Sequence, residues 1–373
     1  MLKKFKTILN IDSKHLTLFR GKFGVNNSYV VNFLASKDYD GFGDGEFFNP
    51  DLLEDEIKSV LVQSSLHNKN IVKDLTIGIP SEFVYVFSKE VEKHFNSRVK
   101  ISNEILQDIA ESAIEEGFED KILISCKPIW IKLDDERKLY SWENEKTSKI
   151  TSLYSYIFVD KKFVEIINGI LSKLGVCTVN YVCASDAECR YLLKDKDISK
   201  QSLIIDVGYI SSSVSLACGN GIYEMKSFSY GGAHISADLS ECLDITFAQG
   251  EALKQEIVLS INSKKQEDYY EVDVKNKILP VPVDFANEVV RARLDMICTL
   301  IKKCISSFGI ENSQYVQVYL TGEGISYIKG ARDYLAKSLG RNVELLFPSA
   351  PAYSKPQYSS SISVLDFVLR KNN

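Results

Sequence analysis

One short loop combines residue types that could bind a phosphate group. Asp206 and Gly208 follow the apolar run LII, and three hydroxyls come next, on Ser211, Ser212 and Ser213. A tight turn between two antiparallel strands exposes backbone N–H groups, and serine hydroxyls would add further donors for an anion. Because D-x-G is also common in ordinary turns, this motif alone leaves a phosphate loop and a purely structural turn open.

Two further features could serve a nucleotide. In VYLTGEGISYIKG, Gly322 and Gly324 would let the backbone approach a planar ligand, or a neighbouring part of the protein, before a helix begins. Glu251 and Lys254 are three residues apart, which places both side chains on one face of a predicted helix. An ordinary surface ion pair would have the same spacing, so the pair gains meaning only from the elements around it.

The elements that would position these residues alternate between strands and helices. The pattern predicts a strand, a loop and a second strand at residues 8–20, followed by a mixed block at 82–175 in which Ser102 is the N-cap of a helix. A second strand–loop–strand unit at 203–217 carries the D-x-G motif. A long helix at about 284–307 and a final strand, glycine loop and helix complete the order.

Composition narrows the classes of function. The chain has 373 residues, of which 45% are hydrophobic and 25% charged, and this indicates a globular protein of two or three domains or one bilobed unit. Its net charge of −5 gives no basic excess for nucleic acid. The eight cysteines form no C-x-x-C pair and the four histidines lack metal-ligand spacing. With no apolar run of roughly 18 residues and no signal peptide, the sequence predicts a cytoplasmic protein.

The order of these elements resembles the actin-like ATPase superfamily, and within it the family of the bacterial cell-division protein FtsA. The resemblance rests on the stretches SYGGAHISADLS, EVDVKNKILPVPVDFANEVVRARLDMI and VYLTGEGISYIKGARDYL. It implies an α/β fold of two lobes, in which helices flank duplicated mixed β-sheets and an FtsA-type 1C subdomain is inserted. The pilus protein PilM has the same layout but lacks a stretch such as 260–283 before the long helix.

The resemblance also divides the chain into parts. Lobe one would comprise residues 1–81, 176–200 and 351–373, and the 1C-like subdomain would occupy residues 82–175. Lobe two would comprise residues 201–240 and 313–350, and a smaller subdomain would occupy residues 241–312.

The nucleotide site that the resemblance implies is only partly matched. Its candidate residues are Asp206, Gly208, Ser211 and Ser212 on the phosphate side, and Glu251, Lys254, Gly322 and Gly324 on the adenosine side. The family's first phosphate loop, roughly D-I-G-T-S-K, reads N-I-D-S-K-H here, with Asn10 in place of an acid and Asp12 in place of a glycine. In the second loop Tyr209 and Ile210 replace glycines, and Ser213 replaces an acid.

These departures bear on catalysis. Two like charges at about 4 Å repel by about 4 kcal/mol at an effective dielectric of 20, so Asp12 would oppose a bound phosphate. We therefore expect ATP with magnesium to bind weakly or not at all, and turnover to be negligible. If a nucleotide does bind, Glu251 and Lys254 would hold its ribose and base.

By resemblance, the protein is expected to be a cytoskeletal scaffold of bacterial cell division that recruits or organises division proteins. Its expected partners are FtsZ or another division protein, and copies of itself in a homo-oligomer or filament. Arg293 on the long helix matches a basic residue through which the family binds the FtsZ tail, and an internal ion pair is the alternative. A PilM-like cytoplasmic platform for type IV pilus assembly, and an active actin-like ATPase or sugar-kinase-like phosphotransferase, stay open.

The last residues, VLDFVLRKNN, bear on membrane attachment. Proteins of the FtsA family continue into a basic amphipathic helix that lies on the membrane. Here Leu365, Val368 and Leu369, beside Arg370 and Lys371, offer one short apolar face, and the alternative is the end of a helix that closes lobe one. The sequence thus predicts no direct membrane anchor, and recruitment to the division site would depend on partners.

Overall fold

The computed structural model describes residues 4–371 except 115–116, 195, 260–267, 275–276, 312 and 314. The strands, in chain order, are β1 Lys6–Ile11, β2 His15–Phe23, β3 Tyr29–Asp38, β4 Phe42–Gly43, β5 Glu46–Phe47, β6 Asp74–Ile79, β7 Val84–Lys100, β8 Lys121–Lys132, β9 Lys138–Leu139, β10 Lys146–Asp160, β11 Thr178–Cys183, β12 Ser202–Val207, β13 Ser212–Cys218, β14 Gly221–Phe228, β15 Tyr269–Val274, β16 Lys277–Pro282, β17 Gln317–Thr321 and β18 Val343–Leu345. The helices are α1 Pro50–Asn68, α2 Asn103–Ser112, α3 Lys161–Lys173, α4 Ala184–Leu192, α5 Gly232–Leu243, α6 Phe247–Glu256, α7 Val283–Ser307, α8 Ala331–Leu339 and α9 Ser359–Lys371.

Two five-stranded sheets repeat one topology. The strand order is β11-β6-β1-β2-β3 in the first sheet and β18-β17-β12-β13-β14 in the second. In each sheet three consecutive strands form an antiparallel meander, and the first of them also pairs in parallel with a later strand. The predicted α/β fold with duplicated mixed sheets is therefore confirmed.

Strand β1 is buried on both faces of the first sheet, which accounts for its continuous apolar run. Leu9 and Ile11 pack into a core with α1 and α3, whereas Ile8 packs on the opposite face against α4 and α9. Asn10 alternates with Leu9 and Ile11, so it shares the face of Ile8, and it is fully buried. The strand thus delivers the following turn to the space between the two lobes.

The second sheet separates two cores in the same way. Leu203 and Ile205 of β12 face the core built with α5 to α8, while Ile204 faces α4 and the inserted sheet. The long helix α7 closely matches its predicted bounds and buries Leu294 and Ile297 in the first of these cores. Residues 241–312, predicted as a smaller subdomain, share that hydrophobic cluster with the second sheet in the described part of the chain.

The inserted sheet has the order β7-β10-β8-β9, and α2 packs on it. Ser102 caps α2 as predicted, because its hydroxyl accepts a hydrogen bond of 3.2 Å from the N–H of Ile105. Helix α3, which was predicted to belong to this subdomain, instead contributes Phe163 and Ile167 to the core of the first sheet. The packing of the inserted sheet thus ends near Asp160 rather than at residue 175.

The C-terminal helix α9 lies in the first lobe. Leu365, Val368 and Leu369 are buried in one cluster with α4, and Arg370 pairs with Asp366 at 2.7 Å. The short apolar face predicted from the sequence therefore belongs to the lobe-closing helix, which was the alternative. Among the described residues, the helices include none that is both long and apolar enough to span a bilayer.

Candidate functional site

Three turns meet at the space between the lobes, and glycines let them approach each other closely. The N–H of Gly324 donates to the carbonyl of Val207 at 2.7 Å, and the N–H of Gly232 donates to the carbonyl of Gly208 at 2.9 Å. Gly322 has a φ of +86°, and a Cβ there would lie 2.1 Å from Asp206 Oδ1. The predicted glycines thus serve contacts between loops, whether or not a ligand is bound.

The turn between β1 and β2 is closed by its own acid. Asp12 Oδ1 accepts hydrogen bonds from the N–H groups of Lys14, at 2.9 Å, and His15, at 2.7 Å. Tyr39 donates its hydroxyl to the carbonyl of Asp12 at 2.6 Å and holds the turn from the other side. The backbone donors that a phosphate would need at this turn are therefore already engaged.

Ser13 joins the two lobes at the D-x-G loop. Its Oγ accepts a hydrogen bond from the N–H of Ile210 at 2.9 Å and a second from the N–H of Ser211 at 3.3 Å. Ser13 and Ile210 are 197 residues apart in sequence, and Ser13 is buried. One side chain of lobe one thus occupies two amide donors of the candidate phosphate loop in lobe two.

Tyr209 occupies the space beside these turns. Lys14 Nζ lies 4.3 Å from the centre of its ring, Lys254 Nζ lies 5.7 Å from it, and Phe247 meets the ring edge-on. Burial raises the pKa of the Tyr209 hydroxyl, and Glu251 adds to that effect. The ring therefore separates the lysine of the first turn from the lysine of α6.

The predicted pair on α6 is formed and has further partners. Lys254 Nζ lies 2.8 Å from Glu251 Oε1 and also donates to the carbonyl of Gly232 at 3.1 Å. Glu251 Oε2 accepts a hydrogen bond of 2.7 Å from Ser236. Lys254 is buried, and burial lowers its pKa. The surface ion pair considered as an alternative is therefore wrong, because the pair is built into the cleft wall.

Four carboxyl groups line a cavity between the turns, those of Asp12, Glu188, Asp206 and Glu323. Burial raises the pKa of Asp206 to about 7, and the charges of Asp12 and Glu323 act in the same direction. Burial also raises the pKa of Glu188 well above its usual range. Burial and mutual repulsion thus disfavour the ionised forms of these acids. Within the described residues no group of three His, Cys, Asp or Glu side chains is arranged to hold a metal ion.

His15 places a positive charge beside the carboxyl groups of this site. Its Nδ1 lies 2.7 Å from Asp38 Oδ1, and its Nε2 lies 3.5 Å from Glu323 Oε1. Burial lowers the pKa of His15, but the hydrogen bond to Glu323 and the nearby carboxylates outweigh it and raise the pKa to about 9. His15 is thus a cation at neutral pH, and it faces carboxylates rather than open space.

The remaining candidates have structural partners. Asn10 Oδ1 accepts a hydrogen bond of 2.9 Å from Ser360, while its buried Nδ2 has no partner among the described residues. Ser212 donates to the carbonyl of Tyr230, and Ser213 is buried opposite Asp206 in the β12–β13 pair. Asn10 therefore holds α9 against β1.

The volume of the cavity tests whether a nucleotide fits. It is about 70 Å³, whereas pockets for drug-sized ligands are roughly 300–1,000 Å³. Ser13 and Asp12 engage the amide donors, and the ring of Tyr209 lies between the lysines. In this arrangement the residues do not fit an ATP triphosphate with its magnesium ion.

Arg293 lies on α7 but does not point freely to solvent. Its Nε donates to Oδ2 of Asp238 on α5 at 2.6 Å, and its Nη2 donates to Oδ1 of the same carboxylate at 2.6 Å. The guanidinium lies 5.6 Å from the ring of Tyr230 and lines a groove with Asp44 and His234. The internal ion pair named as the alternative is therefore present, and any partner would meet an arginine that is already paired.

Sequence reasoning missed the role of Ser13. It noted the departures at Asp12 and Tyr209 but treated them as losses, whereas the structure gives both residues new contacts. The sequence signal for this role was the serine directly after Asp12, at the position where the family pattern D-I-G-T-S-K has its threonine. Its partner could not be identified without the pairing of the two lobes.

The repeated sheets, the three converging turns and the inserted subdomain define an actin-like ATPase fold. A structure of the PilM–PilN type IV pilus biogenesis complex superimposes with a TM-score of 0.64 over 98% of both chains at 16% identity. The MamK double helical filament gives a TM-score of 0.55 at 13% identity and covers 97% of this chain and 98% of that one. At these identities the likeness concerns the fold alone.

Within that fold the chain is similar to the family of the cell division protein FtsA. The family model described as "Cell division protein FtsA" matches residues 203–363, which include the D-x-G loop, α6, α7 and the T-G-x-G turn. The cell division protein FtsA of Enterococcus hirae is 22% identical over 309 residues, which cover 79% of this chain and 68% of that protein.

Proposed function

We propose that this protein is a cytoskeletal scaffold of bacterial cell division, which organises division proteins without turning over ATP. The observation that carries the proposal is the double hydrogen bond from Ile210 and Ser211 to Ser13, which uses the donors that a phosphate would need. The similarity to FtsA supplies the cellular process. In this proposal the lobes are held together by the protein's own side chains.

Turnover is tested by phosphate release from ATP with magnesium. We expect the rate of the wild type to equal the background rate and to be unchanged in Asp206→Ala. Calorimetric titration with ATP, with and without magnesium, measures binding separately from turnover. Phosphate release well above background that Asp206→Ala abolishes would favour the active-ATPase alternative.

If a nucleotide binds weakly, we propose that the adenosine side holds it. Glu251 and Lys254 would have to exchange their present contacts for the ribose and base. Lys254→Met should then lower ATP affinity, and Ser236→Ala serves as the matched control because it alters the same network but keeps the charge pair. Unchanged affinity in Lys254→Met would contradict this proposal.

The proposed partner is the acidic tail of FtsZ or of another division protein. An arginine binds carboxylates bidentately, but Arg293 already does so with Asp238. A tail that binds there must therefore displace or share Asp238. In a fluorescence titration with an FtsZ tail peptide, Arg293→Glu should weaken binding more than tenfold, about 1.4 kcal/mol.

The control for this titration is the double variant Arg293→Glu/Asp238→Arg, which keeps an internal ion pair but reverses its direction. If Arg293→Glu weakens binding only by loosening α7, the double variant should restore it. If Arg293 is a true contact, the double variant should bind as poorly as the single one. Tight binding that ignores Arg293→Glu would remove this residue from the site.

The similarity to PilM favours a second candidate, a cytoplasmic platform of type IV pilus assembly. Absence of binding to the FtsZ tail by the wild type, together with pull-down of pilus-assembly proteins, would support it. Self-association is proposed for either function, since the MamK structure of the same fold is a filament. Sedimentation across a range of protein concentrations, with and without ATP, measures it.

A further inference from the structure

A second cavity between the lobes has the opposite charge to the candidate nucleotide cleft. It measures about 420 Å³ and lies where α4, α9, the β13–β14 turn and strand β8 of the inserted sheet meet. Seven of its twenty lining residues are lysine or arginine, and two are aspartate. This local excess is found in a chain whose net charge is −5, so the cavity is a concentrated basic site.

The cations differ in depth. Lys127 and Arg190 are partly buried at the wall, whereas Lys194, Lys196 and Lys371 are exposed at the rim. Arg190 uses its Nε for an ion pair with Asp186 at 2.9 Å, which leaves the two terminal nitrogens as further donors. A guanidinium held by one carboxylate through Nε can still bind an anion through its other N–H groups.

Lys127 is the partly buried member of the three cavity cations that take no part in the ion pairs of the described residues, the others being Lys194 and Lys371. Its Nζ lies 4.8 Å from the centre of the Phe367 ring. It lines this cavity and two adjoining ones of about 620 and 820 Å³. A partly buried ammonium group has lost part of its hydration, and a bound anion would compensate the free-energy cost of that loss.

We propose that this cavity binds a small ligand that carries a phosphate or diphosphate group. The volume lies within the range of small-molecule sites, roughly 300–1,000 Å³. The cations reach one volume from lobe one and from the inserted subdomain, and the Gly219–Gly221 turn of lobe two closes it, which suits a compact polyanion better than an extended acidic peptide. Arginine with lysine is also the pair of residue types best suited to phosphate oxygens. This inference does not depend on the proposed role in cell division.

The ligand would touch three parts of the protein at once. Lys127 belongs to the inserted sheet, Arg190 and Lys371 to lobe one, and the Gly219–Gly221 turn to lobe two. A bound anion that draws these groups together would therefore fix the inserted subdomain relative to both lobes. Ligand binding here would therefore influence the orientation of the inserted subdomain, and it would do so from a site separate from the cleft that contains Ser13.

The test is calorimetric titration of the full chain with inorganic pyrophosphate at low salt. We expect measurable binding that Lys127→Met weakens at least tenfold and Lys371→Ala weakens less, because its exposed charge is screened. Lys303→Ala, an exposed lysine of α7 that does not line the cavity, is the matched control and should bind as the wild type does. Thermal unfolding of each variant verifies that it is folded.

Two results would overturn the proposal. One is absence of binding at millimolar pyrophosphate, and the other is binding that Lys127→Met leaves unchanged while Lys14→Ala abolishes it, which would assign the anion to the cleft of Asp12. Sedimentation with phosphatidylglycerol vesicles distinguishes the source of the phosphate. Lys127-dependent sedimentation would assign it to a lipid headgroup, and Lys127-dependent binding of pyrophosphate alone would assign it to a soluble ligand.

Discussion

The two cavities between the lobes differ in charge and in the state of their hydrogen-bond donors. Around the D-x-G loop four carboxyls line a cavity of about 70 Å³, and the neighbouring amides are bound by Asp12 and Ser13. In the basic cavity of about 420 Å³, Lys127 takes part in none of the ion pairs found in the described ranges. Position in a familiar fold and capacity for a ligand are therefore separate properties. Uncompensated polar groups indicate a ligand better than a motif does.

The largest effect should come from opening the first turn. Asp12→Gly removes a negative charge and frees the amides of Lys14 and His15, so ATP affinity should rise about a hundredfold, or about 2.7 kcal/mol. Calorimetric titration with ATP and magnesium measures the change. Asp12→Asn is the control, because it removes the charge but keeps an acceptor for both amides. No gain in Asp12→Gly would mean that Ser13 and Tyr209 block the cleft on their own.

The second effect should come from the hydrogen bonds through which Ser13 joins the two lobes. Ser13→Ala removes the acceptor of the Ile210 and Ser211 amides and should lower the free energy of unfolding by about 2 kcal/mol. Hydrogen exchange at these two amides should become faster. Ser360→Ala, which removes a hydrogen bond within lobe one, should leave that exchange unchanged. Equal exchange rates in Ser13→Ala and the wild type would show that Ser13 does not protect these two amides.

In the basic cavity, removal of a charge should stabilise the protein. Burial, with the nearby cations Arg190 and Lys371, lowers the pKa of Lys127 to about 8 from 10.5, although Asp186 opposes the shift. Protonated Lys127 therefore costs stability at pH 7, and Lys127→Met should raise the free energy of unfolding by about 1 to 2 kcal/mol there, allowing for partial exposure. This gain should be full below pH 8 and disappear as the pH rises towards 10.5. Denaturant unfolding at pH 7 and pH 10 measures it, and a gain that ignores pH would refute the assignment.

The last effect should come from the acidic cavity. Because the pKa of Asp206 is raised from 3.8 to about 7, its stabilising contribution is present below pH 3.8 and is lost as the pH rises through 7. Asp206→Asn should therefore leave stability nearly unchanged near pH 4 and increase it at pH 8. Thermal unfolding at the two pH values measures the difference. Asp55→Asn, an exposed acid of α1, should show no such dependence.

Much of the fold could be predicted because its signals are local. The apolar strands, the cap at Ser102, the bounds of α7 and the pairing of Glu251 with Lys254 all follow from residues within a few positions of each other. The lobe to which α3 belongs could not be predicted, because an amphipathic helix carries no mark of the sheet that it covers. The acceptor role of Ser13 likewise depends on a partner 197 residues away.

Arg293 illustrates the same limit at a candidate interface. Its position on α7 was predicted from the sequence, but the bidentate contact with Asp238 depends on how α5 and α7 pack. The carboxylate that occupies the guanidinium lies 55 residues away in sequence. A basic residue that matches a family pattern therefore predicts a charge, and only the structure tells whether that charge is available.

The hydroxyl of Ser13 has a consequence for the lifetime of an assembly. In filaments whose subunits hydrolyse a nucleotide, the age of a subunit is recorded by the state of its phosphate, and old subunits leave first. If the proposed function holds, a subunit whose lobes are joined by its own serine keeps no such record. An assembly of these subunits would grow and shrink only with the concentration of free protein and with the partners that bind it. Its disassembly would therefore have to be triggered by other proteins.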